Sequence, residues 1–343
     1  MKKYFLLMCF GLFSLTAFSQ TDVVEFLKGG KADANKLFQA YLEPYAFALG
    51  DGLNNGWYNS AKTHSLFGFD LTLSVSAIQI PDESKTFDIS KLGLVNMEVK
   101  NNVNIAPTVA GELVSRPLLS VKNSSIEFSS PNGTGLDMVP VPMAQVGFGL
   151  LPHTDVIGRY VPEMKYDNNG DEMKVGFWGL GVKHNFMEWI PVLKVLPFDA
   201  SLFGSYSEVN AQSELNSLAS SIIEFANDGN QLLKVNTKTT KFGLVVSKKF
   251  SILTVFGGIG QSTSKSNVDL IGKYTIVTKV NVNGQEITLR ETLPEDPVAV
   301  PFETSNISLD AGVRLKLAFF SLFGSINHSE YTSYNAGLSL GFR

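Results

Sequence analysis

From Tyr334 to Arg343 the chain alternates apolar and polar residues without a break. Tyr334, Ala336, Leu338, Leu340 and Phe342 fall on one face of an extended strand, and Asn335, Gly337, Ser339, Gly341 and Arg343 on the other. The same period recurs in His64–Ile80, where Phe67, Phe69, Leu71, Leu73, Val75 and Ala77 oppose Gly68, Asp70, Thr72, Ser74 and Ser76. It recurs again in Asn306–Leu317, where Ile307, Leu309, Ala311, Val313, Leu315 and Leu317 oppose Asn306, Ser308, Asp310, Gly312, Arg314 and Lys316. Runs of this length suit the ~9–11 residues that a tilted strand needs to cross a bilayer, and sandwich strands average roughly half of that. The polar face, which would be the outside of a sandwich, lines the lumen of a barrel. The pattern therefore predicts an all-β fold, an antiparallel transmembrane β-barrel.

Reading backward from the carboxyl end gives strands at Tyr334–Phe342, Phe319–Asn327, Asn306–Leu317, Ser251–Gln261, Thr239–Ser247, Phe198–Val209, Val175–Lys183 and Leu136–Leu150, with a further segment near Ile126–Ser130. Short turns, at Ala318 and Lys248–Phe250, fall at one end, and long excursions such as Asn267–Ser305 and Lys91–Pro117 hold room for more strands. That asymmetry is the one outer-membrane barrels display, and it sets an even strand number of about 10–14. Asn283-Gly284 between Val280 and Ile287 marks a type I′ hairpin. Leu215, Leu218, Ile222 and Phe225 give Ser213–Phe225 a helical stripe, and Phe186, Trp189, Ile190 and Leu193 make Asn185–Pro197 an amphipathic element for the inner interface.

The amino-terminal part is different in kind. Lys2 and Lys3, the apolar segment Tyr4–Phe18 and the small-x-small Ala17-Phe18-Ser19 predict a cleavable signal peptide over residues 1–19. Its apolar run is shorter than the ~20 residues a membrane helix needs, and Cys9 lies too early in it to be lipidated. Residues 20–62 read as a helical plug or a periplasmic lead-in, and 63–343 as the barrel. Asp22 with Glu25 forms a capping box, Asn35–Ala48 a second helix, and Gly50-Asp51-Gly52-Leu53-Asn54-Asn55-Gly56-Trp57-Tyr58 a glycine-punctuated connection. The many apolar residues of this segment favour burial in the lumen.

Composition narrows the function. Charged residues are 17 % of the chain and mean hydropathy is +0.09, so apolar content is spread over many short alternating segments rather than helical spans. Removal of Lys2 and Lys3 takes the formal charge from −4 to −6, which argues against nucleic-acid binding. The signal would also carry off the only cysteine, leaving no thiol for a disulfide, metal or redox site. Four histidines, His64, His153, His184 and His328, are spread over strand ends and loops, and no Gly-x-Ser-x-Gly elbow accompanies them, so no enzyme, cofactor or metal is expected. Asp167–Glu172 reads as a surface turn rather than a calcium loop, because its glycine is one place too early. Asp70, Asp199, Lys183, Lys241, Asp310, Arg314 and Lys316 fall on polar faces, where ion pairs between neighbouring strands would knit the lumen wall.

The signal, the short helical segment, the Gly/Asn/aromatic stretch before the first strand and the alternating terminal strand together resemble the long-chain fatty-acid transporter (FadL-like) barrels. Leu150–Pro162 and Gly179–Phe186 resemble segments of related barrels without an assigned role. Two departures are the terminal Arg343, where an aromatic residue is usual, and a chain shorter than those transporters, which tells against fourteen strands. The resemblance implies passage of small hydrophobic molecules through the outer membrane of a Gram-negative bacterium. Release would follow movement of the plug or a lateral opening. The expected partners are outer-membrane lipid, the barrel-assembly machinery and a hydrophobic ligand, around a monomer. Phe203, Ile252 and Phe256 are apolar positions assigned to the lumen face; they either bind that ligand or pack on the plug. The rival function is a structural, adhesive or small aqueous-pore barrel.

Overall fold

The computed structural model describes residues 23–122, 124, 126–168, 171–215, 223–225, 231–282 and 285–342. Ten antiparallel strands form a closed barrel: β1 (Phe69–Gln79), β2 (Met138–Leu151), β3 (Thr154–Asn168), β4 (Asp171–His184), β5 (Asp199–Glu214), β6 (Leu232–Phe250), β7 (Leu253–Ile271), β8 (Val298–Leu317), β9 (Phe320–His328) and β10 (Thr332–Phe342). Each strand pairs with the next in sequence, and β1 closes on β10 from Phe69↔Phe342 to Gln79↔Thr332.

Burial inverts the rule of soluble proteins. On β1 the polar Thr72, Ser74 and Ser76 are buried, whereas Leu71 and Val75 are exposed. On β10 Ser333, Asn335 and Ser339 are buried between exposed Tyr334, Leu338 and Leu340. An exposed apolar band around a polar, filled interior is the signature of a wall that faces lipid. On β8 the outward row turns polar above Ile307, at Ser305 and Glu303, and β7 makes the same change above Ile259. These long strands leave the membrane there and continue into a cap.

The cap closes the end that carries the long excursions. It contains the pair Thr86–Asp88 with Ile105–Pro107, the sheet Met97–Val99, Leu118–Val121 and Glu127–Ser129, and the hairpin Tyr274–Val282 with Gln285–Thr292, joined by Ile223–Phe225. The hairpin is where the Asn-Gly signal placed it, although Asn283 and Gly284 lie outside the described residues. Two sequence expectations are corrected here. The segment near Ile126–Ser130 is a cap strand, not a wall strand; the wall strand is β3, whose alternation is broken by Pro162 and a bulge. Ser213 and Glu214 end β5 and Ile223–Phe225 is a strand, so the helix expected over Ser213–Phe225 is not formed at its ends; residues 216–222 lie outside the described residues. Pairing to β6 and to the cap hairpin outcompetes the helical stripe, and Leu215 is buried in the cap core.

Inside the barrel runs α1, Gly30–Asn54, preceded by a 3-10 turn at Val24–Gly29 with no side-chain cap; Asp22, the presumed cap, is outside the described residues. The helix contacts β1, β2, β5, β6, β7 and β8. It extends past Ala48 through the glycines that read as a loop, because a backbone enclosed by the wall must satisfy its own polar groups. The glycines allow close approach. A Cβ on Gly50 would stand 2.2 Å from Ser264 Oγ, and one on Gly52 2.4 Å from Val141 Cγ2.

At the short-turn end, Asn185 caps a 3-10 turn at Phe186–Trp189 that leads into one helical turn, Pro191–Lys194. Met187 is buried, while Trp189, Ile190, Val192 and Val195 are exposed just below the lipid-facing band. Trp189 also stacks on His184. Changing Trp189 and Ile190 together to serine is expected to cost about 2 kcal/mol of barrel stability, from lost apolar burial at the interface. The check is the temperature at which the folded band converts on semi-native gels; an unchanged temperature would remove the anchoring role.

Candidate lumenal ligand site

One face of α1 carries Leu42, Tyr45, Ala46, Leu49 and Leu53 at helical spacing. It borders a cavity of about 270 Å³. The opposite boundary is the inward face of β2 to β7, including Val139, Val141, Met143, Val161, Met164, Val175, Phe177, Val209, Ala211, Val235 and Val268. Here the inward face, polar near the short turns, has become apolar.

The wall beside this cavity is incomplete. β2 pairs with β1 over its whole upper half, from Ala144↔Leu73 to Met138↔Gln79, but with β3 only from Leu151↔Thr154 to Gln145↔Arg159. No ladder pair joins residues 138–144 to β3. Pro140 and Pro142 explain this: they lack the N–H a ladder needs, and the unbroken ladder to β1 leaves the missing groups on the side of β3. Across the gap, a bulge lies in β3 between Val161 and Met164, at Pro162 and Glu163. The extra residue shifts the alternation, so that Met164 and Tyr166 join Val161 on the cavity side. Arg159 stands five residues above the Thr154 turn, about 13 Å along the barrel axis. The gap thus begins near mid-depth of a ~25 Å apolar band.

The floor of the cavity is polar and closed. Arg159 is 1 % exposed; its Nε donates to Gln145 Oε1 (3.0 Å), Nη1 to the Leu53 carbonyl (2.9 Å) and Nη2 to the Asn55 carbonyl (2.7 Å). Its guanidinium lies 3.8 Å from the Trp57 ring centroid, and Trp57 Nε1 donates to the Leu53 carbonyl as well. The last turn of α1 has no basic residue of its own, so Arg159 supplies the charge that its terminal carbonyls attract.

Below Arg159, residues 55–68 cross the lumen as an extended strap. Tyr58 donates to Asp310 Oδ2 (2.8 Å), which also holds Lys241 (2.9 Å). Arg314 donates to Asn59 Oδ1 (3.0 Å), Ser247 Oγ accepts from the Ala61 N–H (2.9 Å), and Lys183 donates to the carbonyls of Ser60 and Lys62. Asp155 accepts from the His64 N–H and pairs with Lys183 (3.2 Å). The predicted lumenal charges face inward, but their pairing corrects one expectation. Asp155–Lys183 joins neighbouring strands, whereas Lys241–Asp310 reaches across β7, over Gly258. A Cβ there would meet the Tyr58 hydroxyl at 2.5 Å. His64 lies between two carboxylates, Asp155 at 3.1 Å and Asp70 at 3.7 Å.

Of the three positions assigned to the lumen, Phe203 and Phe256 are inward and buried, and both pack edge-on against Tyr58. They belong to the sealed lower lumen and do not line the cavity. Ile252 is a correction: β7 starts at Leu253, so Ile252 stands in the turn after Phe250, where alternation no longer sets direction, and is 52 % exposed. Sequence reasoning missed the cavity because its walls are apolar on both faces, as in Met138–Met143, and such a run has no period to read. The signal present was Val-Pro-Val-Pro within a strand.

Asp51 ties α1 to the β9–β10 turn by accepting from the Tyr331 N–H (2.8 Å). Burial pushes its carboxyl up to about 6, against 3.8 ordinarily, with Glu330 adding to the rise and Lys241 opposing it. A folded-state value above the unfolded one stabilises most below pH ~4, and this contribution fades as pH rises through 6. Asp51→Asn, which retains an acceptor, should therefore gain up to about 3 kcal/mol at pH 8 and lose the pH dependence between 4 and 6. Unfolding temperature against pH for both proteins checks this.

The family model described as "Family of unknown function (DUF6588)" matches residues 1–342. The chain belongs to this family. No curated protein matches it. Among solved structures the barrel is similar to the translocator domain of autotransporter NalP from Neisseria meningitidis, at 9 % identity over 82 % of this chain and 90 % of that one, with a TM-score of 0.31. It is similar also to Ail of Yersinia pestis, at 8 % identity over 81 % and 100 % and a TM-score of 0.27, and to a FadL homologue of Pseudomonas aeruginosa, at 9 % over 88 % and 92 % and a TM-score of 0.23. Scores this low carry no argument about function.

Proposed function

We propose that this DUF6588 barrel resides in the outer membrane and passes small hydrophobic molecules by passive diffusion, with the capped end outside the cell. One observation carries the reading: an apolar cavity between α1 and the wall lies beside a stretch where β2 and β3 do not pair. A molecule in lipid or at the cap would enter this space without crossing the polar layer at Arg159. Onward passage requires the strap or α1 to shift, since the lower lumen is filled. The filled lower lumen speaks against an open aqueous pore.

The test is uptake of an environment-sensitive apolar dye into liposomes bearing the protein, with ion conductance recorded in parallel. The reading expects dye flux above empty liposomes and no steady conductance. Flux equal to empty liposomes would leave a structural barrel.

A further inference from the structure

We infer that the cavity selects an uncharged hydrophobic molecule of about ten carbon atoms and rejects the carboxylate of the same skeleton. This rests on the transport reading above and names its cargo. The twenty-two described residues that line the cavity are uncharged, and none of them is a histidine. Among those with hydroxyls, Tyr45 is engaged with Thr134 Oγ1 (2.8 Å) and the Leu136 carbonyl, and Thr237 with Ser266 (2.9 Å). An anion entering this space would give up water for almost no donor, which is among the costliest transfers in protein chemistry.

The guanidinium of Arg159, which forms the floor, does not reverse this. Arg159 already serves the carbonyls of Leu53 and Asn55 and Gln145 Oε1, its face is covered by Trp57, and it is 1 % exposed. A ligand carboxylate could reach it only by displacing the end of α1. Size follows from volume. A dry apolar cavity of about 150 Å³ accommodates benzene, so about 270 Å³ suits a skeleton of roughly ten carbons.

The experiment uses the full chain in nanodiscs at pH 8, incubated with equimolar 1-decanol and decanoate. Retained ligand is quantified after gel filtration, with empty nanodiscs subtracted. We expect decanol to be retained about 100-fold over decanoate, as unpaired burial of a carboxylate implies. Met164→Lys, which places a cation in the lining beside the gap, should raise the ratio of retained decanoate to decanol at least ~10-fold. Equal retention, or preference for decanoate by the wild type, would overturn the charge selection and leave hydrophobic binding standing. If neither ligand is retained, the transport reading itself fails. The wild-type comparison decides even if the variant does not fold.

Discussion

Replacing Arg159 by methionine should cost about 3–5 kcal/mol of stability and turn a sealed barrel into a leaky one. The volume is nearly kept, so the loss is polar: the Asn55 carbonyl and Gln145 Oε1 are left buried without this donor, and the Leu53 carbonyl keeps only Trp57 Nε1. Each such group costs about 1–3 kcal/mol. The end of α1 and the strap at Trp57 would then lose their common tether, and water would reach the lower lumen. Arg159→Lys keeps the charge but offers no planar fork for three acceptors, so it should fall in between. Unfolding temperature on semi-native gels and single-channel recordings measure both effects. A methionine variant as stable and as silent as the wild type would mean that the layer at Arg159 is not the seal.

Pro140→Val with Pro142→Val should cut hydrophobic flux at least ~10-fold and raise stability by about 1–2 kcal/mol. Both prolines lie on the stretch of β2 that pairs with β1 alone. Restoring two N–H groups on the open side lets the β2–β3 ladder climb past Gln145↔Arg159, at roughly 0.5–1.5 kcal/mol per bond. Pro140 lies on the outward face, and Pro142, which also borders the cavity, is replaced by another apolar side chain, so the character of the lining is kept. Unaltered flux with altered stability would show that the gap is structural and that cargo takes another path.

Much of this was legible in the sequence, for a physical reason. A wall that meets lipid on one side and a polar interior on the other writes period two into the chain, and Tyr334–Phe342, Asn306–Leu317 and Phe69–Ala77 could be read directly. β3 was missed where Pro162 and the bulge break that period, and these are the features that shape the mouth of the cavity. Helix α1 was read too short because Gly50 and Gly52 count as breakers by propensity. In the lumen they are the residues small enough to pass Ser264 and Val141. The cavity itself left little trace. It arises from one face of a helix meeting six strands, a juxtaposition no local pattern encodes. Arg159 was passed over because a single arginine in Leu150–Pro162 does not announce that α1 will end against it.

The most direct test of the central claim is native mass spectrometry of the protein drawn from its own membrane in mild detergent, wild type beside Ala46→Trp. A lumenal binding site predicts one small apolar adduct per wild-type chain and none on Ala46→Trp, whose indole would fill the cavity between Leu42 and Leu49. Bare protein in both samples, with nothing taken up after soaking in apolar compounds, would contradict it.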